Sequence, residues 1–307
     1  MSSINIKDYL EINELDEKFV FFSFKRNNAT ELVDFIFDYF FSEEIMFRHV
    51  NYLENIPFKK EKKNLVQLYK FLDLFLDDET NEILNKADYE DINVIVDECK
   101  LISDNGDSLT IRFDKIGKIG EFIFSVILEN YFSFSCIIPK SNLTTNKNMS
   151  VYGIDVLYFD EKNKIILFGE SKVCNNIGNG ITQINESLLK YEKMIKDEFM
   201  LIFTRDKINQ LNCLKDIYKN EMELAFDFFQ FVDLAKINKI GIPLFIAHGT
   251  EIKNNEIFDK LTSIAKKDFF GFDTKYYIIS FPIIDKNEFA IAISKKIKQK
   301  KEEYYES

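Results

Sequence analysis

Residues 153–172 read Gly153-Ile154-Asp155-Val156-Leu157-Tyr158-Phe159-Asp160-Glu161-Lys162-Asn163-Lys164-Ile165-Ile166-Leu167-Phe168-Gly169-Glu170-Ser171-Lys172. Two short apolar runs flank the polar segment Asp160-Glu161-Lys162-Asn163, the pattern of a β-hairpin. Asp155 lies near the start of the first strand. Glu170 and Lys172 lie near the end of the second, two residues apart and therefore on one face. An antiparallel hairpin brings these ends together, so two carboxylates and an ammonium converge on one sheet surface.

Outward from the hairpin, residues 116–131 are expected to form a helix carrying Glu121, with Phe124, Ile127, Leu128 and Tyr131 on its apolar side. Residues 133–138 read as a strand, and a polar loop runs from Ser141 to Asn148. After Gly178-Asn179-Gly180 a helix is expected over about 181–197, with Ile184, Leu188, Leu189, Tyr191 and Met194 facing the core. Phe199-Met200-Leu201-Ile202-Phe203 reads as a buried strand. The order is thus helix, three strands, helix, strand. Further on come a helical region near 208–236, strands at 243–247 and 276–281, and a Lys-rich closing helix from about 287.

Upstream, 19–25 reads as a strand, 29–45 and 62–77 as helices, and 92–96 and 109–113 as short strands. The segment Leu84–Asp91 looks helical. No internal repeat and no Pro- or Gly-rich linker marks a boundary. The working division is an α/β region over 1–108, taken as a partner interface, and a second region over 109–307.

Composition narrows the class. The chain has 307 residues, 46% of them apolar and 30% charged, the balance of a soluble globular protein with room for a large core. No apolar run reaches the roughly 18 residues of a membrane span, and the N-terminus lacks a signal-like apolar core, so a cytoplasmic protein is expected. Cys99, Cys136, Cys174 and Cys213 are dispersed, away from His49 and His248, which speaks against a zinc site or a disulfide scaffold. There is no Gly-x-x-x-x-Gly-Lys-Ser/Thr loop, so no nucleotide cofactor is expected, and no Gly-x-Ser-x-Gly elbow. The net charge of −11 is unlike that of a protein that grips a duplex unaided. Its basic runs, Lys59–Lys63 and Lys295–Lys301, read as solvated faces. Any nucleic acid is therefore expected to arrive through a partner.

Glu-x-Lys alone carries little weight, since it recurs at Glu61, Glu98, Glu170 and Glu251. Only Glu170 combines an upstream strand acid, a tight hairpin and a following helix. Such a set suits Mg²⁺, which binds through one or two carboxylates plus a substrate phosphate, with Mn²⁺ able to substitute. Asp155 and Glu170 are the expected ligands, with the Ser171 carbonyl as a further oxygen. Lys172 would orient the attacking water or stabilise developing negative charge, and Glu121 is a candidate fourth member. Gly178, Gly180 and Gln183, at the start of the following helix, are candidates for binding a substrate phosphate. Cys174 and His248 read as packing residues.

The motifs Gly120-Glu121-Phe122, Gly153-Ile154-Asp155 and Gly169-Glu170-Ser171-Lys172, in this order of elements, resemble the PD-(D/E)xK nuclease superfamily over about residues 115–205. No Pro precedes Asp155, and no Gln-x-x-x-Tyr follows the Glu-x-Lys, because Ser187 stands four residues after Gln183. The overall organisation resembles the HamA family, the nuclease subunit of Hachiman anti-phage defence. That resemblance implies a restriction-endonuclease-like α/β core, a mixed sheet flanked by helices. It also implies DNA as substrate, a superfamily-2 helicase (HamB-like) as partner, and activity restrained until infection. Two other readings remain: a non-catalytic adaptor that keeps the fold to regulate a helicase, and a sequence-specific restriction enzyme.

Overall fold

The computed structural model describes residues 10–16, 19–24, 34–45, 81–85, 102–104, 108–138, 154–203, 228–249 and 254–283, together with positions 286, 289, 292, 293 and 296 of a closing helical segment. The expected helix at 62–77, the strand at 92–96, the loop at 141–148, Gly153 and the Glu61, Glu98 and Glu251 copies of Glu-x-Lys lie outside them.

Among the described residues, seven strands form one mixed sheet: β1 (Leu10–Asp16), β2 (Phe19–Phe24), β6 (Ser135–Ile138), β7 (Val156–Asp160), β8 (Ile165–Cys174), β9 (Lys239–Gly249) and β10 (Asp273–Ile283). Their order is β1-β2-β10-β9-β8-β7-β6. The middle of the sheet is parallel, from β2 through β10 and β9 to β8, while β1–β2, β6–β7 and β7–β8 are antiparallel. The sheet therefore takes strands from both ends of the chain. A second, three-stranded sheet of order β3-β5-β4 joins β3 (Asn81–Asn85), β4 (Ile102–Asp104) and β5 (Ser108–Arg112). Leu84 and Asn85, expected to open a helix, instead close β3 and pair with Leu109 and Ser108.

The hairpin forms as its sequence dictates. Val156 pairs with Gly169 and Asp160 with Ile165. Asp160 organises the turn, its Oδ1 accepting the Lys162 and Asn163 N–H groups at 3.1 Å, as Asp does in turns.

Helix α1 (Phe113–Asn130) covers one face of the sheet and helix α2 (Ile177–Phe203) the other. Under α1 the core is a layer of phenylalanines. Phe124 stacks on Phe245, Phe245 meets Phe281, and Phe40, which ends a short π-helical turn (Ile36–Phe40), and Phe41 after it reach Phe281 and Phe122. Under α2 the core is aliphatic, built from Ile166, Ile184, Leu188, Leu244 and Ile246 with Phe168 and Tyr191. Helices α3 (Phe228–Leu234) and α4 (Asn254–Leu261) complete that side. The closing segment is helical where described; it buries Phe289 and Ile293 and ties Lys296 to Asp34 at 2.6 Å.

Three further expectations are corrected. Phe199–Phe203 is the last part of α2, not a strand. A short apolar run cannot be assigned by periodicity alone, and no Gly or Pro separates it from the helix before it. The parallel neighbour of β8 is β9, whose centre was expected as the strand at 243–247. Helix α2 starts at Ile177, so Gly178-Asn179-Gly180 lies within it rather than before it, and neither glycine adopts a positive φ. Asn176 is the cap, its Oδ1 accepting the Asn179 N–H at 2.9 Å. Leu189, expected to face the core, is 80% exposed.

Candidate active site

The site lies towards the C-terminal end of β8, in the parallel part of the sheet, where open α/β sheets leave room for ligands. Alternation along β8 divides its residues between the two helices. Gly169, Ser171 and Val173 face α1, while Phe168, Glu170 and Cys174 face α2. Gly169 must be glycine, because a Cβ there would lie 2.3 Å from Val156 Cγ2 and 3.0 Å from the Phe124 ring. That close approach lets α1 settle directly over the hairpin.

Asp155 stands one step beyond the Val156–Gly169 pair and so beside Glu170. Its N–H donates to the Gly169 carbonyl at 3.0 Å, and its Oδ2 accepts the Ser171 N–H at 2.7 Å. These bonds anchor its carboxylate to the neighbouring strand. Lys172 Nζ forms an ion pair with Glu170 Oε1 on the same face. Ser187, from α2, donates its hydroxyl to the same oxygen at 3.0 Å. Glu170 Oε2 is buried and has no hydrogen-bond partner.

The electrostatics follow from this crowding. Burial pushes the Glu170 carboxyl up to about 7, and the Asp155 charge adds to the shift; Lys172 and Ser187 pull it back. For Lys172, burial favours the neutral amine, but Glu170, Asp155 and Glu121 outweigh it and leave its pKa raised. Three carboxylates thus act on one ammonium. Glu121, half-buried on α1, joins the site through its charge.

Among the described residues no group of three or more His, Cys, Asp or Glu side chains is arranged to hold a metal ion. The donors that converge here are the two carboxylates of Asp155 and Glu170. That set is poor for zinc but suited to Mg²⁺, which keeps several waters. A buried carboxylate oxygen with no partner fits a cation for the same reason, since burying a charge unpaired is costly. The Ser171 side chain points to the opposite face, beneath Gly120.

Of the other candidates, Gly180 is buried against the sheet, where a Cβ would lie 2.7 Å from Ile246 Cγ2 and 3.1 Å from Cys174 Sγ. Gly178 is partly exposed and Gln183 exposed, one turn before Ser187. His248 is fully buried, its Nε2 2.8 Å from Ser280 Oγ. The residue that sequence reasoning missed is Ser187. A serine at that spacing carries no signal until α2 is packed on the strand.

No described helix is long and apolar enough to cross a membrane. Nothing matches the chain among curated proteins or solved structures. The model of the protein family described as HamA matches residues 11–297.

Proposed function

The chain belongs to the HamA family, and from that premise we propose that it is a metal-dependent DNA endonuclease acting with a helicase in Hachiman anti-phage defence. The observation that carries this reading is the buried Glu170 carboxylate, with one oxygen paired to Lys172 and the other without a partner, beside Asp155.

In this reading the core is of the PD-(D/E)xK type. Asp155 and Glu170 would hold Mg²⁺ or Mn²⁺, with the Ser171 carbonyl as a further oxygen donor. When bound, such an ion supplies Lewis acidity and charge neutralisation at the scissile phosphate. Lys172 keeps its proton at neutral pH because carboxylates surround it. It orients the attacking water and stabilises the negative charge that builds on the phosphate. Glu121, on α1, adds the smallest of the carboxylate contributions that favour the charged Lys172. On α2, Gly178 and Gln183 lie on the substrate side, while Gly180 serves packing. The net charge of −11 opposes unaided binding of DNA, so the helicase partner presents the strand.

The test is plasmid cleavage with Mg²⁺ or Mn²⁺, with and without the helicase, comparing wild type and Lys172→Ala. We expect loss of cutting in the variant at unchanged circular dichroism. Undiminished cutting by Lys172→Ala would sink the assignment. No cutting by any form, together with no uptake of Mn²⁺, would favour the adaptor reading.

A further inference from the structure

The two oxygens of Glu170 have unequal surroundings. Oε1 receives both Lys172 Nζ and the Ser187 hydroxyl, whereas Oε2 is buried with no partner. Lys172 ends a long flexible stem and is a quarter exposed, so it holds a carboxylate in place but does not fix its rotation. Ser187 has a single χ angle and is carried by a helix whose position is set elsewhere.

Contacts on either side of Ser187 lock that helix. Asn185 Nδ2 donates to the Ser263 carbonyl at 3.4 Å, and Asn185 Oδ1 accepts the Ala265 N–H at 2.9 Å. Tyr191 donates its hydroxyl to the Phe168 carbonyl at 3.3 Å, and Glu192 Oε1 accepts the Phe270 N–H at 3.0 Å. The segment after α4 and the strand β8 therefore grip α2 around residue 187. The hydroxyl reaches Glu170 from a rigid platform, as partners of metal-binding carboxylates do.

We propose that Ser187 is a positioning residue: its hydrogen bond fixes the Glu170 carboxylate so that Oε1 stays with Lys172 and Oε2 is the oxygen left for a divalent cation. The proposal rests on the metal-dependent reading above. Without the hydroxyl the carboxylate turns about its last torsion, and Lys172 and the cation compete for the same oxygens.

The experiment is titration calorimetry of the full chain with Mn²⁺, alongside thermal unfolding, for wild type, Ser187→Ala, Ser187→Thr and Glu170→Gln. Lost partners of metal ligands weaken affinity roughly 10- to 100-fold, and that is the loss expected for Ser187→Ala, at an unchanged Tm. Ser187→Thr, which keeps the hydroxyl, is expected to restore binding. Three results would overturn the proposal alone: wild-type affinity in Ser187→Ala, no rescue by Ser187→Thr, or a loss seen only with a lowered Tm. If wild type takes up no Mn²⁺, or Glu170→Gln binds it as tightly as wild type, the metal-dependent reading falls and this proposal with it.

Discussion

Glu170 holds an ionisable group in a place that disfavours its charge. Its carboxyl titrates at about 7 in the fold, against 4.5 ordinarily, chiefly because it is buried and faces Asp155. The native state therefore binds more protons than the unfolded chain between these values, so stability falls as pH rises through that window. The penalty is absent below about 4.5 and complete above about 7. Glu170→Gln does not titrate there. Urea unfolding in chelator is expected to show wild type losing stability relative to Glu170→Gln between pH 4.5 and 7.5, by on the order of 3 kcal/mol at most. A difference that stays flat with pH would refute the burial of a charge at this position. On the metal-dependent reading, cleavage is expected to decline below pH 7, because a proton would compete with the cation for one carboxylate; activity undiminished at pH 5.5 would contradict it. The convergence of Asp155, Glu170 and Lys172 was legible from the sequence because strand alternation and a short turn place them locally. Ser187 was not, since its partner lies 17 residues away across a helix–sheet contact.

Helix α2 joins the site to the core, and its packing turns on Gly180. In an open helix Gly→Ala gains up to about 1 kcal/mol. Here the added carbon would lie 2.7 Å from Ile246 Cγ2, in a buried contact that has no room for it. Gly180→Ala is expected to cost about 1–3 kcal/mol and to lower cleavage, because a displaced α2 carries Ser187 away from Glu170. Gly178→Ala is the control for stability alone: its added carbon meets only the Asn176 side chain, at 3.3 Å. A Tm for Gly180→Ala equal to those of Gly178→Ala and wild type would contradict the packing argument. The sequence pattern located this helix but misplaced both ends. Glycines read locally as a turn are compatible with a helix when an upstream Asn caps it and a strand needs close approach. The apolar residues 199–203 carry strand and helix signals alike, and chain continuity decided for helix.

The whole sheet depends on strands that are remote in sequence. β10 lies between β2, from the start of the chain, and β9. A fragment starting at residue 109 would strip β10 of β2 and leave an open parallel edge, a template for unwanted pairing. Such a fragment is expected to aggregate where the full chain does not, as light scattering after size exclusion would show; a monodisperse, cleaving fragment would refute this. Phe281→Ala, removing a fully buried ring that touches Phe40 and Phe245, is expected to cost about 3–5 kcal/mol in denaturant unfolding. At this scale the sequence by itself determined the hairpin and the carboxylate–lysine set, because period-two alternation and turn chemistry act over a few residues. It also determined that α1 and α2 flank them, through apolar residues recurring at helical spacing. Only the tertiary structure decided that β1 and β2 complete the same sheet, that β9 is the parallel neighbour of β8, and that Ser187 meets Glu170. Parallel pairing and helix–sheet contact join segments distant in sequence, and their partners are selected by packing of the whole core, which no local pattern encodes.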